Sequence, residues 1–180
     1  MLMRHYLLTA VLLVGVLTGC VKQGKKPLDA KAQEQQEAIL RGATLEGFQM
    51  LDMLNEQGLS LLVYNNDSLT THANRGVQDL LQLLSEQPER LNGAVVADKI
   101  IGKAAAAIMA TGGVREVHTN IICTPAKQLF EQQGILVFAT EEVPMILNRD
   151  RSSMCPIDTQ IADIESIEEC VDILQARLAH

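Results

Sequence analysis

Between residues 94 and 139 short β-branched runs alternate with helical ones, and this alternation constrains the fold more tightly than anything else in the chain. Residues 94–97 read as a buried strand and residues 99–110 as an alanine-rich helix closed by Gly112 and Gly113. A strand at 117–122, a helix at 125–133 and a strand at 135–139 follow, with Thr124 placed as N-cap, Pro125 at the first helical position and Gly134 at the end. Strands joined through helices pair in parallel with right-handed crossovers.

The flanking segments fit around that unit. Leu45, Phe48, Leu51, Met53 and Leu54 recur at helical spacing and stop at Gly58. Residues 59–64 and 69–72 form an expected hairpin turning at Asn65, Asn66 and Asp67, and residues 76–85 an expected helix. A last strand is expected at 143–147. Ser166 and Glu169 frame a capping box for a final helix with Ile167, Val171, Leu174 and Leu178 on its apolar face. The expected class is α/β, a three-layer α-β-α sandwich on a mixed sheet with an N-terminal hairpin.

Composition narrows the function. Of 180 residues, 47% are hydrophobic, enough for one core, yet aromatics make up 3% and Trp is absent, so that core is aliphatic and alanine-rich. Carbohydrate surfaces use stacking rings and are disfavoured on this count. Leu17, Thr18, Gly19 and Cys20 close a short apolar segment, residues 6–16, that follows Arg4, the arrangement of a lipoprotein signal peptide. That segment is too short for the roughly 20 residues of a spanning helix. The expected organisation is a signal peptide at 1–19, a tether at 20–30 with Cys20 lipidated, and one domain at 31–180. The expected location is the cell envelope, lipid-anchored, on the outer membrane where the host has two, since Val21 rather than Asp follows the cysteine. Loss of the leader, whose one charge is Arg4, takes the formal net charge from −7 to −8. Lysines cluster only in and just after the tether, at Lys22, Lys25, Lys26 and Lys31, so nucleic acid is not an expected partner.

In an open parallel sheet, ligands bind where strand carboxyl ends meet the amino ends of the following helices. That edge gathers Asp98, Lys99, Gly102 and Lys103 near Cys123 and Thr124. Lys99 and Lys103, four apart on one helix face beside free backbone donors, favour a small anion; the alternative is a capping Asp98 with solvated lysines. Arg149 lies in a polar loop that also carries Cys155, followed by Asp158, a set that offers an anion clamp, a nucleophile and a base. Cys123 and Cys155 are either a disulfide pair or, if reduced, Cys123 has a lowered pKa at a helix amino end. Cys170 reads as a small core residue, and His72 and His118 as structural or surface residues.

Leu62-Val63-Tyr64 with its hairpin, Val96-Ala97-Asp98-Lys99 leading into Gly102-Lys103-Ala104-Ala105-Ala106, Gly112-Gly113-Val114, Asn148-Arg149 and Cys155-Pro156 together resemble the bacterial family of domain of unknown function 1893. That family's fold is similar to the cytidine deaminase superfamily. The resemblance implies a deaminase-like scaffold, with Asp158 at a position where the family usually carries Glu. It also implies an exclusion. Zinc deaminases use His-x-Glu or Cys-x-Glu at one helix start and Pro-Cys-x-x-Cys at the next, whereas here the first offers Asp98 to Lys103 and the second only Cys123. A tetrahedral zinc needs three protein ligands, so neither a metal nor any other cofactor is expected. The leading reading is a lipid-anchored module binding a small anionic or nucleotide-like ligand. Its alternatives are a metal-independent enzyme using Cys123 or Cys155, and an envelope structural or interaction protein.

Overall fold

The computed structural model describes residues 44–74 and 76–178. The expected leader, the expected lipidation site Cys20 and the expected tether lie outside the described residues. Among the described residues, no helix is long and apolar enough to cross a membrane.

The elements are α1 (Leu45–Gln57), β1 (Leu61–Asn65), β2 (Ser68–His72), α2 (Gln78–Glu86), β3 (Val95–Ile101), α3 (Lys103–Thr111), β4 (Glu116–Cys123), α4 (Thr124–Gln132), β5 (Leu136–Val143), the single turn α5 (Pro156–Thr159) and α6 (Ile167–Leu178). The sheet runs β2-β1-β3-β4-β5. β1 is antiparallel to both β2 and β3, while β3, β4 and β5 are mutually parallel. The hairpin turns through Asn66 and Asp67, both at positive φ (49° and 58°), which suits the right-handed twist of its strands.

Helices cover both faces. On one, α1 packs Met50 and Leu54 on Leu62, Val95 and Ala97. On the other, α2, α3, α4 and α6 cover Leu61, Val63, Val96, Ile101, Val117 and Ile122. Ala104, Ala105, Ala106 and Ala107 are buried, and side chains this small let α3 nest among α2, α4 and α6. The parallel ladder skips one residue in each strand at the same level, Lys99, Asn120 and Thr140. Val96 and Ile101 therefore reach the same core though five residues apart, as do Val117 and Ile122; strict alternation would put each pair on opposite faces.

Two boundaries differ from expectation. The helix expected from Lys99 starts only at Lys103, because Ile100 and Ile101 continue the ladder against Ile121 and Ile122. Asp98 and Lys99 are thus strand residues, and Asp98 caps no helix. The strand expected at 143–147 does not form: β5 takes Val143 as its last residue, and Leu147 makes only an isolated bridge to Met154.

The α1 face carries one buried polar knot. Glu116 and His118, both fully buried, meet at 2.7 Å between Oε1 and Nε2. The Thr44 N–H and hydroxyl donate to the same oxygen at 2.8 and 3.0 Å. Phe48 and Phe138 flank the imidazole at centroid distances of 4.6 and 5.0 Å. Burial pushes the Glu116 carboxyl up, but the bonds from His118 and Thr44 outweigh it and hold it below the ordinary range. This knot contributes stability above the unfolded glutamate pKa and loses it as pH falls through the lower folded value. A Cβ on Gly47 would stand 2.1 Å from His118 Nε2. Gly47→Ala is therefore expected to destabilise the fold by about 2 kcal/mol or more, read as a lower midpoint in urea denaturation.

Candidate functional site

Only Gly102 separates β3 from α3, and nothing separates β4 from α4, so two helix starts stand side by side at one sheet edge. The first N–H groups of a helix have no partner within it and carry partial positive charge. Asp158, brought in by α5, answers them at α3: its Oδ1 accepts from the Ala104 N–H at 3.0 Å. A Cβ on Gly102 would lie 2.1 Å from Asp158 Oδ2, so the carboxylate reaches the helix because residue 102 is glycine. Asp158 is 6% exposed. Burial pushes its pKa up, and the backbone of Ala104 and Lys103 with the Lys103 charge draws it only part of the way back.

Cys123, rather than Thr124, is the N-cap of α4. Thr124 instead donates its hydroxyl to Glu142 Oε1 at 2.9 Å. The expectation of a lowered thiol pKa at Cys123 is overturned. Burial pushes the thiol up and the nearby Asp158 charge adds to that, against N–H groups of Ala126 and Lys103. Cys123, Cys155 and Cys170 are all free thiols, and Cys170 is buried in the core as expected.

Beside this junction opens a cavity of about 270 Å³. Of the residues singled out from sequence, it brings together Asp98, Lys99, Gly102, Cys155 and Asp158 in one wall, while Lys103, Cys123, Thr124 and Arg149 are not among its lining residues. Asp98 stands partly open to the cavity. Its withdrawal from bulk water lifts its carboxyl to about 7, against backbone N–H groups of Ile100 and Lys99. Asp79 and Asn74 complete the polar wall, and sequence reading missed both. Asp79 takes the Asn74 side-chain amide at 2.6 Å and its N–H at 3.1 Å, with His72 Nδ1 at 3.9 Å. The one signal was a carboxylate two residues into the apolar run of α2, which a solvent-facing helix start shows equally well.

The donor set does not fit zinc of the deaminase kind. At the paired helix starts Cys123 is the one thiol, Gly102 and Lys103 stand at the other start, and among the described residues no three His, Cys, Asp or Glu side chains gather as a metal-ion site.

The family described as domain of unknown function DUF1893 matches residues 49–178. The chain belongs to the DUF1893 family. A solved DUF1893 family protein from Thermotoga maritima is similar to it, at 26% identity and a TM-score of 0.68 over 75% of this chain and 92% of that one. No curated protein matches.

In this DUF1893 domain Lys103 has a structural task. Its Nζ donates to the carbonyls of Ile161, Ala162 and Ile164 at 2.8, 2.8 and 2.7 Å, filling all three donors of an ammonium. The shared helix face expected for Lys99 and Lys103 is absent, since Lys99 belongs to β3. Arg149 is exposed in the turn held by Asn148 and Ser153.

Two outcomes are expected. Lys103→Met strands three carbonyls that an ammonium now satisfies and should lower stability by about 2–3 kcal/mol, measured by chemical denaturation. Asp98 has a folded pKa above its unfolded value, so its stabilising contribution is complete below the unfolded pKa and fades as pH rises through about 7. The stability difference between wild type and Asp98→Asn should therefore shift in favour of the variant by on the order of 3 kcal/mol between pH 4 and pH 8, measured by denaturation at each pH.

Proposed function

We propose that this protein is an envelope lipoprotein, anchored through Cys20, whose DUF1893 domain binds a small molecule in the cavity beside β3, on a deaminase-like scaffold without deaminase chemistry. The observation that carries the reading is Asp98, a carboxyl lifted by loss of water in the wall of a concave site at the carboxyl end of β3, where the parallel strands meet antiparallel β1. Such perturbed groups concentrate at functional clefts, and this edge is where open α/β sheets take ligands. The anchor is supported by the residue order Leu17-Thr18-Gly19-Cys20 after a short apolar core.

A second reading has its own support. Cys155 lines the same cavity as Asp98 and Asp158, while Cys123 is 2% exposed, so a thiol-dependent activity would run through Cys155.

Native mass spectrometry of the full-length protein purified from its host in detergent tests the main reading. The expected result is a small molecule that travels with the wild type and is lost from Val77→Phe, which fills the cavity, while circular dichroism stays unchanged. Ligand retention by a folded Val77→Phe protein would refute the site. Fast labelling of Cys155 at neutral pH with turnover of a thiol-reactive ester would favour the second reading.

A further inference from the structure

We propose that the cavity selects a small organic cation, an amine, amidine or guanidine on a compact apolar body, with Asp98 as its counter-charge. This rests on reading the cavity as the ligand site, and it replaces the anion expected from sequence.

Among the described residues, three carboxylates line the cavity against one cation, Lys99. Asp79 has both oxygens bonded to Asn74, and Asp158 is engaged with the start of α3. Asp98 differs from both. Its carboxyl meets only backbone N–H groups, of Ile100 at 3.1 Å from Oδ1 and of Lys99, and no Lys, Arg or His side chain stands within ion-pair distance of it among the described residues. Lys103, the cation that sequence spacing places next to it, is held elsewhere by the carbonyls of residues 161, 162 and 164. An anion entering here would meet net negative walls, and a cation would meet a carboxylate drawn out of bulk water and held by backbone N–H groups without a counter-charge.

The remaining wall fixes the ligand body. Leu61, Val77, Ile146 and Ile157 give the cavity an apolar side. Its volume of about 270 Å³ is just below the roughly 300 Å³ at which drug-sized pockets begin. A single ring or short branched chain with one charged head matches both facts. Among the described residues, the groups that share the cavity with Asp98 and titrate or carry charge are Asp79 on α2, with His72 of β2 behind it, Cys155 and Asp158 at α5, and Lys99 on β3 itself. Cation binding favours the ionised carboxyl, so affinity should climb as pH rises from 5.5 to 8.

Benzamidinium and benzoate have the same planar shape and opposite charge, and calorimetric titration of the full-length protein in detergent compares them. Expected are benzamidinium affinity at least about tenfold above benzoate, a loss of about tenfold in Asp98→Asn at pH 8 with an unchanged circular dichroism spectrum, and loss of both probes in Val77→Phe. Benzoate binding as tightly as benzamidinium, or more tightly, would overturn the charge assignment. If benzamidinium fails to bind while Val77→Phe still removes the co-purifying molecule, the cation assignment falls and the ligand site stands. If benzamidinium binds Val77→Phe as well as wild type, the cavity is not the site and both proposals fall.

Discussion

The hydrogen bond from Ala104 to Asp158 spans 54 positions in sequence and closes the most exposed electrostatic problem of this fold. Strands that run straight into helices leave no loop to dissipate the partial charge at the helix starts, and here two such starts adjoin. An α/β protein can fill that position with a ligand's anion or a metal's donor set. This chain fills it from within at one helix, using a carboxylate from α5, while at the other the N-cap Cys123 makes no side-chain cap bond. Gly102 gives the carboxylate room, and Lys103 fastens the segment just after α5 by its carbonyls. The cavity therefore has rigid walls on this side, because moving α5 would uncap α3.

The opposite face has a separate polar centre with the same logic. Glu116 and His118 would be costly in an aliphatic interior if unpaired. They pair with each other and Thr44 donates twice to Glu116 at the start of α1, while Glu116 Oε2 and His118 Nδ1 have no hydrogen-bond partner among the described residues. In one case a carboxylate fastens a short helix to the sheet edge, and in the other it fastens a long helix to the sheet face. Both use a glycine, 102 or 47, as the point of closest approach.

Most of the fold was legible because hydrophobic period carries it. The hairpin, the parallel β3-β4-β5 order, the alanine-rich helix and the final helix follow from local pattern, and the DUF1893 resemblance holds over residues 49–178. The β3–α3 boundary was not legible, since Asp98 resembles an N-cap in isolation and only pairing with β4 shows that Ile100 and Ile101 stay in the sheet. The site was half legible. Asp98, Lys99, Gly102, Cys155 and Asp158 do share a wall, but the destination of the Lys103 ammonium, the burial of Cys123 and the part played by Asn74 and Asp79 depend on contacts between segments far apart in sequence. Helix-end chemistry suggested a reactive thiol at Cys123, and desolvation reversed it.

The anchoring of Thr44 has a mechanical consequence. Its N–H and hydroxyl both end on Glu116, at the beginning of β4, a strand with neighbours on each side. Pulling on the chain ahead of Thr44 would therefore load an interior strand as well as α1. That strand is held by β3 on one side and β5 on the other, so the pull would be shared with the sheet.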